Sequence, residues 1–161
     1  VSARGALVVE CHFATRDRVP SRRLLQRWAS AALGARGGRR EMALLTVGAA
    51  RMRTLNRRYR GQDKPTNVLA FPAPAAPGGQ PPPLGDVVIC PAVLRREARE
   101  QGKPERAHWA HLVVHGTLHL AGYDHEVEAD AHRMERREIA VLRSLGFSNP
   151  YRVMPRHGAG R

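Results

Sequence analysis

His111-Leu112-Val113-Val114-His115-Gly116-Thr117-Leu118-His119-Leu120-Ala121-Gly122-Tyr123-Asp124-His125 sets histidines four residues apart in a largely apolar run. Residues four apart lie one turn apart on the same face of a helix. His108 extends the row upstream, and at ~100° per residue the four imidazoles fall within a stripe roughly 80° wide. The spacing predicts a helix over 105–121, entered through Pro104. Gly122 can take positive φ and end that helix. A turn beyond it can bring His125 back towards His115 and His119. Three neutral imidazoles with one position left open form the ligand set of a catalytic zinc site; nickel or copper could also occupy such nitrogens in vitro.

The spacing H-x-x-x-H-x-x-G-x-x-H also matches a metalloprotease pattern, except at its second position. There the protease carries the glutamate that acts as general base, and this chain carries Gly116. The ligand set is present without the peptidase base. A metal in such a site lowers the pKa of bound water and polarises an oxygen of the substrate. A carbonyl and a phosphodiester both qualify. His111 is a candidate for a role behind the ligands or in lining the pocket. The plain reading of His108 is a hydrogen-bonded core or surface residue.

The charge balance narrows the substrate. The chain has 161 residues, with 27 Lys and Arg against 14 Asp and Glu, a net charge of +13. Only Lys64 and Lys103 are lysine. A surface this basic attracts polyanions, nucleic acid first among them. An anionic membrane surface is the weaker alternative, because no strongly amphipathic basic helix stands out. No apolar run is long enough to span a bilayer, and the opening residues lack the order of a secretory signal. Cys11 and Cys90 read as small core residues in a reducing compartment rather than a disulfide framework. The length fits one domain over 1–151, followed by a short basic tail over 152–161.

Strands are predicted over 5–13, 41–47, 67–71 and 85–90, the third ended by Pro72. Helices are predicted from Ser21 to Gly34, over 49–59 with Met52, Leu55 and Tyr59 on one side, over 91–101, and over 126–145. The last has an apolar stripe of Val127, Ala131, Met134, Ile139, Leu142 and Leu145. Residues 72–84 form a Pro/Gly-rich loop unfit for a helix or a central strand. Strands early and helices late imply an α+β fold, a small mixed sheet of about four strands with packed helices.

A second segment, Leu55–Asn67, runs from helix to strand and holds Arg60, Lys64, Thr66 and Asn67, all able to bind anionic oxygens. The planar fork of arginine suits phosphate, and a positioned arginine can stabilise charge on non-bridging oxygens. An ordinary basic turn would look the same by pattern alone.

Three segments together, LNRRYRGQDKPTNVLAFP (Leu55–Pro72), LGDVVIC (Leu84–Cys90) and HLVVHGTLHLAGYDH (His111–His125), resemble the YbeY family of bacterial metal-dependent endoribonucleases. Ser144-Leu145-Gly146-Phe147 is similar to that family as well, so the likeness runs from about residue 40 to 151. Ala70 departs from it, standing where the family usually has serine. The resemblance implies a zincin-like α+β fold, one zinc ion per chain held by His115, His119 and His125, and a catalytic role for Arg60 and His115. It implies single-strand-specific cleavage of RNA in 16S rRNA 3′-end maturation and in ribosome quality control, in the cytoplasm. The implied partners are ribosomal RNA of the small subunit, ribosomal proteins and an assembly GTPase, with no membrane. Arg57, Arg58 and Lys64 are candidates for RNA contact. Asp124 is a candidate proton acceptor or support for His125, or else the cap of the following helix; Asp86 and Asp63 are weaker candidates. The general base is left unassigned. Two alternatives stay open: a ribosome assembly or RNA-binding factor with a structural metal, and a metal hydrolase acting on another substrate.

Overall fold

The computed structural model describes residues 7–34, 39–74, 78, 83–123 and 128–151. In chain order they form β1 (Leu7–Ala14), α1 (Arg22–Leu33), β2 (Arg40–Val47), α2 (Ala49–Arg60), β3 (Val68–Pro72), β4 (Gly85–Ile89), α3 (Pro91–Gln101), α4 (Glu105–Leu120) and α5 (Glu128–Ser144). The sheet order is β1-β2-β4-β3. β1 and β4 both run parallel to β2, while β3 runs antiparallel to β4. This is the mixed four-stranded α+β fold expected from the sequence.

Strand composition follows position in the sheet. β4 is central and reads almost without polar interruption, whereas β1, at an edge, alternates buried and open residues. One face of the sheet, with Cys11, Met42, Leu44, Val87 and Ile89, packs on α1, α4 and α5. The other face, with Val47, Leu69 and Val88, is covered by Met52 of α2 and Val93 of α3. Pro72 belongs to β3 rather than ending it, which is tolerable because β3 is an edge strand. The β3–β4 connection closes tightly. Ala73 N–H donates to Leu84 O at 3.0 Å, and a Cβ on Gly85 (φ 131°) would lie 2.1 Å from Phe71 O.

The open edge of β1 is sealed by α1. Helix α1 starts where Ser21 Oγ accepts from Leu24 N–H at 3.2 Å. Along its length, Gln26 accepts from Val9 N–H at 2.9 Å and donates to Leu7 O, and Arg22 donates to Cys11 O at 2.8 Å. Side chains thus occupy backbone groups that would otherwise template another strand.

Helix α4 is the spine. From residue 108 to 120 every position is buried except His111, His115 and His119, which are half-buried. A helix apolar on nearly all sides must be enclosed, and α4 packs against α1, α3, α5, β3 and β4. It lies close against the sheet at Gly116. A Cβ there would lie 2.7 Å from Val87 Cγ1 and 3.0 Å from Cγ2. Steric exclusion by Val87 therefore explains the glycine where the protease pattern has glutamate.

Gly116→Ala should lower stability despite a gain of up to ~1 kcal/mol in helix propensity. Overpacking costs ~1–3 kcal/mol, so the net loss is about 1 kcal/mol, or roughly 2–4 °C in Tm. Thermal unfolding of Gly116→Ala, Val87→Ala and the double variant checks this. The double variant should be more stable than the sum of the single effects, and additive losses would refute the contact.

Candidate metal centre and cleft

The half-buried face of α4 opens into a cleft of about 420 Å³. His115, Gly116 and His119 line one wall; Tyr59 and Arg60, from the end of α2, and Asn67–Phe71 line the other. Segments about fifty residues apart in sequence therefore meet there. Ala70 is among the lining residues, so the departure from serine falls within the cleft.

Local structure sets the α2 wall. Gly61 caps α2 in the left-handed conformation (φ 69°, ψ 16°), and its N–H returns to Arg57 O and Asn56 O. Buried Asn56 donates to Lys64 O at 2.8 Å, holding the following loop against the helix. Arg53 grips Asp63 through two hydrogen bonds of 2.9 and 3.1 Å. Asp63, lowered in pKa first by that hydrogen bond, is thus committed to Arg53 and away from proton transfer. Arg57, Arg58, Arg60 and Lys64 are exposed. Tyr59 is 57% exposed, with its ring edge-on to Phe71 at 5.0 Å.

Asn67 does not offer its amide N–H groups to the cleft. It donates to Glu97 Oε1 at 3.0 Å, and the same oxygen pairs with His108 Nε2 at 2.9 Å. Burial lowers the pKa of His108, with the Glu97 hydrogen bond opposing it. His108 is thus a buried residue, hydrogen-bonded through one ring nitrogen. Asp86 sits on the opposite face of the sheet from α4, beside a broader depression that it lines with Glu10 and Glu41.

Behind the histidine wall lies a group that the sequence reading did not single out. Glu138 of α5 is fully buried. Its carboxylate accepts from His115 Nδ1 and from the Tyr151 hydroxyl, and His111 Nε2 lies 3.4 Å away. His111 Nε2 is also 3.3 Å from the Tyr151 hydroxyl. Burial raises the Glu138 pKa, but hydrogen bonds from His111 and His115, the charge of His115 and the Tyr151 hydroxyl outweigh it and bring it to about 2. Burial and the neighbouring carboxylate push the Tyr151 phenol up. Donor atoms of His111, His115 and Glu138 lie within 4.8 Å of one another, so this group could hold a metal ion.

The signal for Glu138 is visible in the last helix. It stands four residues after Met134 and four before Leu142, both buried, and so interrupts an apolar face. The stripe read from the sequence passed over it to Ile139, which is only half-buried. His125 and Asp124, expected as third ligand and as its neighbour, lie outside the described residues, as do Val127 and the 152–161 tail. Gly122 does take positive φ, 102°.

Comparison with known proteins places these features. The family model described as Endoribonuclease YbeY matches residues 14–146, reaching well upstream of residue 40, where the likeness read from the motifs began. An Endoribonuclease YbeY from Alkalilimnicola ehrlichii is 53% identical over 151 residues, covering 91% of each chain. The solution structure of TM1509 from Thermotoga maritima superimposes with a TM-score of 0.55 at 23% identity, over 90% of this chain and 99% of that one, a likeness of fold. With the match running from β1 to the end of α5 and including both walls of the cleft, the chain belongs to the YbeY family of endoribonucleases.

Proposed function

We propose that the protein is a zinc-dependent, single-strand-specific endoribonuclease of 16S rRNA 3′-end maturation and ribosome quality control, working in the cytoplasm on the small ribosomal subunit. The observation that carries this is the cleft itself, with His115 and His119 on one wall and Arg60 on the other. One side supplies metal-ligating nitrogens and the other a cation whose planar fork suits the non-bridging oxygens of a phosphodiester.

The residues fit a metal. His115 and His119 are a turn apart on one face, and His115 has its Nδ1 engaged by a carboxylate, the usual support for a metal-bound imidazole. His125 would complete the set. When bound, the zinc supplies Lewis-acid polarisation and a water whose pKa is brought towards ~7. Arg60 orients the scissile phosphate by donating to its non-bridging oxygens and stabilises the charge that builds on them. Arg57, Arg58 and Lys64 track the RNA backbone. The exposed ring of Tyr59 gives an unpaired base a surface to stack on, which favours a single strand over a duplex. Among the described residues no helix is long and apolar enough to cross a membrane.

Two measurements test this reading. Purified protein is incubated with single-stranded and duplex RNA, with and without chelator, beside His115→Ala and Arg60→Ala. Cleavage should be confined to single strands, need the metal, vanish in His115→Ala and fall by ~10²–10³-fold in Arg60→Ala. Cleavage that persists in His115→Ala refutes the assignment, and tight binding of intact RNA by every form favours an assembly factor. Separately, replacing Arg57, Arg58 and Lys64 together by alanine should reduce the slope of log K against log salt by about 2, at ~0.7 per phosphate contact. An unchanged slope places the RNA elsewhere.

A further inference from the structure

A fully buried carboxylate on an apolar helix face is a poor choice for stability alone. Taking such a charge out of water costs several kcal/mol, and apolar replacements of buried ionic groups are often neutral or stabilising. Position 138 lies between Met134 and Leu142 on the packed face of α5, where an apolar side chain would suit the core. What the glutamate adds is an acceptor aimed at α4. A carboxylate can only accept, so the ring nitrogen of His115 that meets it, Nδ1, must carry the proton.

We infer that Glu138 is a positioning residue of the cleft: by taking the Nδ1–H of His115 it fixes that imidazole in the tautomer whose basic nitrogen is Nε2. This rests on the proposal that His115 is a metal ligand. It also assigns Glu138 the place behind the ligand rather than a place in the ligand set. Both carboxylate oxygens are already engaged, Oε1 by His115 and Oε2 by the Tyr151 hydroxyl with His111 3.4 Å away. A metal held between Glu138, His111 and His115 would have to displace the Nδ1–H contact of His115 inside a packed core.

Tyr151 completes the arrangement from the segment that follows α5. The segment after α5 folds back over α4. Phe147 meets the Trp28 ring edge-on at 6.0 Å, and Lys103 Nζ donates to Pro150 O at 2.8 Å. These contacts bring the Tyr151 hydroxyl onto Glu138 Oε2, and its ring lies 5.3 Å from that of His111. Tyr151 thereby restrains the carboxylate that restrains His115, and residues 146–151 become part of the support of the site.

The test uses ¹⁵N-histidine NMR on metal-free protein at about pH 9, where imidazole is neutral, together with calorimetric titration of zinc. Wild type should show His115 as the Nδ1–H tautomer. Glu138→Gln keeps the volume, but its carboxamide can donate as well as accept, so both tautomers should appear. Its zinc affinity should fall by about 10–100-fold, the usual loss for removing an outer partner of a ligand, with the metal-free Tm little changed. Tyr151→Phe removes one hydroxyl from a part-exposed ring and should give a smaller loss of zinc affinity with His115 still Nδ1–H. An unchanged tautomer and zinc affinity in folded Glu138→Gln overturns the inference. So does a wild-type His115 found as the Nε2–H tautomer. Wild type that shows the Nδ1–H tautomer yet takes up no zinc leaves the positioning of the ring intact and sinks the metal reading instead.

Discussion

Helix α4 lies against the sheet with no room between them at residue 116, and the rest of the structure is arranged around that contact. A Cβ at Gly116 would press into both methyl groups of Val87, a β-branched side chain buried on the central strand β4. Such a side chain has little rotamer freedom with which to move aside. The close approach sets the depth at which His115 and His119 stand beside β3. It also decides the chemistry available, because no glutamate can occupy the position next to His115 that a zinc peptidase would use as its base.

The cleft is an assembly of parts that cannot position themselves alone. Arg60 is the last residue of α2, held by the left-handed cap at Gly61 and by the strap from Asn56 to Lys64 O. The histidines belong to a helix enclosed on most of its surface. Behind them α5 contributes Glu138 and the segment after it contributes Tyr151. A buried network of this kind is costly when incomplete and rigid when satisfied, which suits a site whose imidazoles must hold one orientation. The basic exposed face of α2 continues from Arg60 outwards, so the charge that attracts a polyanion also leads towards the cleft.

Much of this was legible in the sequence, for physical reasons that can be named. The histidine stripe shows because four-residue spacing maps directly onto a helix face, and α4 has those three imidazoles as its only opening from 108 to 120. The mixed sheet shows in the order of apolar runs and in the Pro/Gly-rich loop before Gly85. Glu138 and Tyr151 were missed because their meaning is tertiary. Periodicity marks which face of α5 is buried, but not that an acceptor on that face meets a histidine 23 positions earlier. The spacing of Tyr59 with Met52 and Leu55 puts the three on one side of α2, but only the fold shows that the Tyr59 ring is 57% exposed beside Phe71. Pro72 extends β3 because an edge strand needs only one of its sides paired.

The central claim is that α4 presents His115 and His119 as ligands while Glu138 stands behind them. Anomalous diffraction at the zinc absorption edge, from crystals of the zinc-loaded chain, tests it directly. The account predicts one peak per chain at ~2.0–2.1 Å from Nε2 of both His115 and His119, with the carboxylate of Glu138 beyond bonding distance. A peak bonded to Glu138 between His111 and His115, or no peak in the cleft, would contradict it.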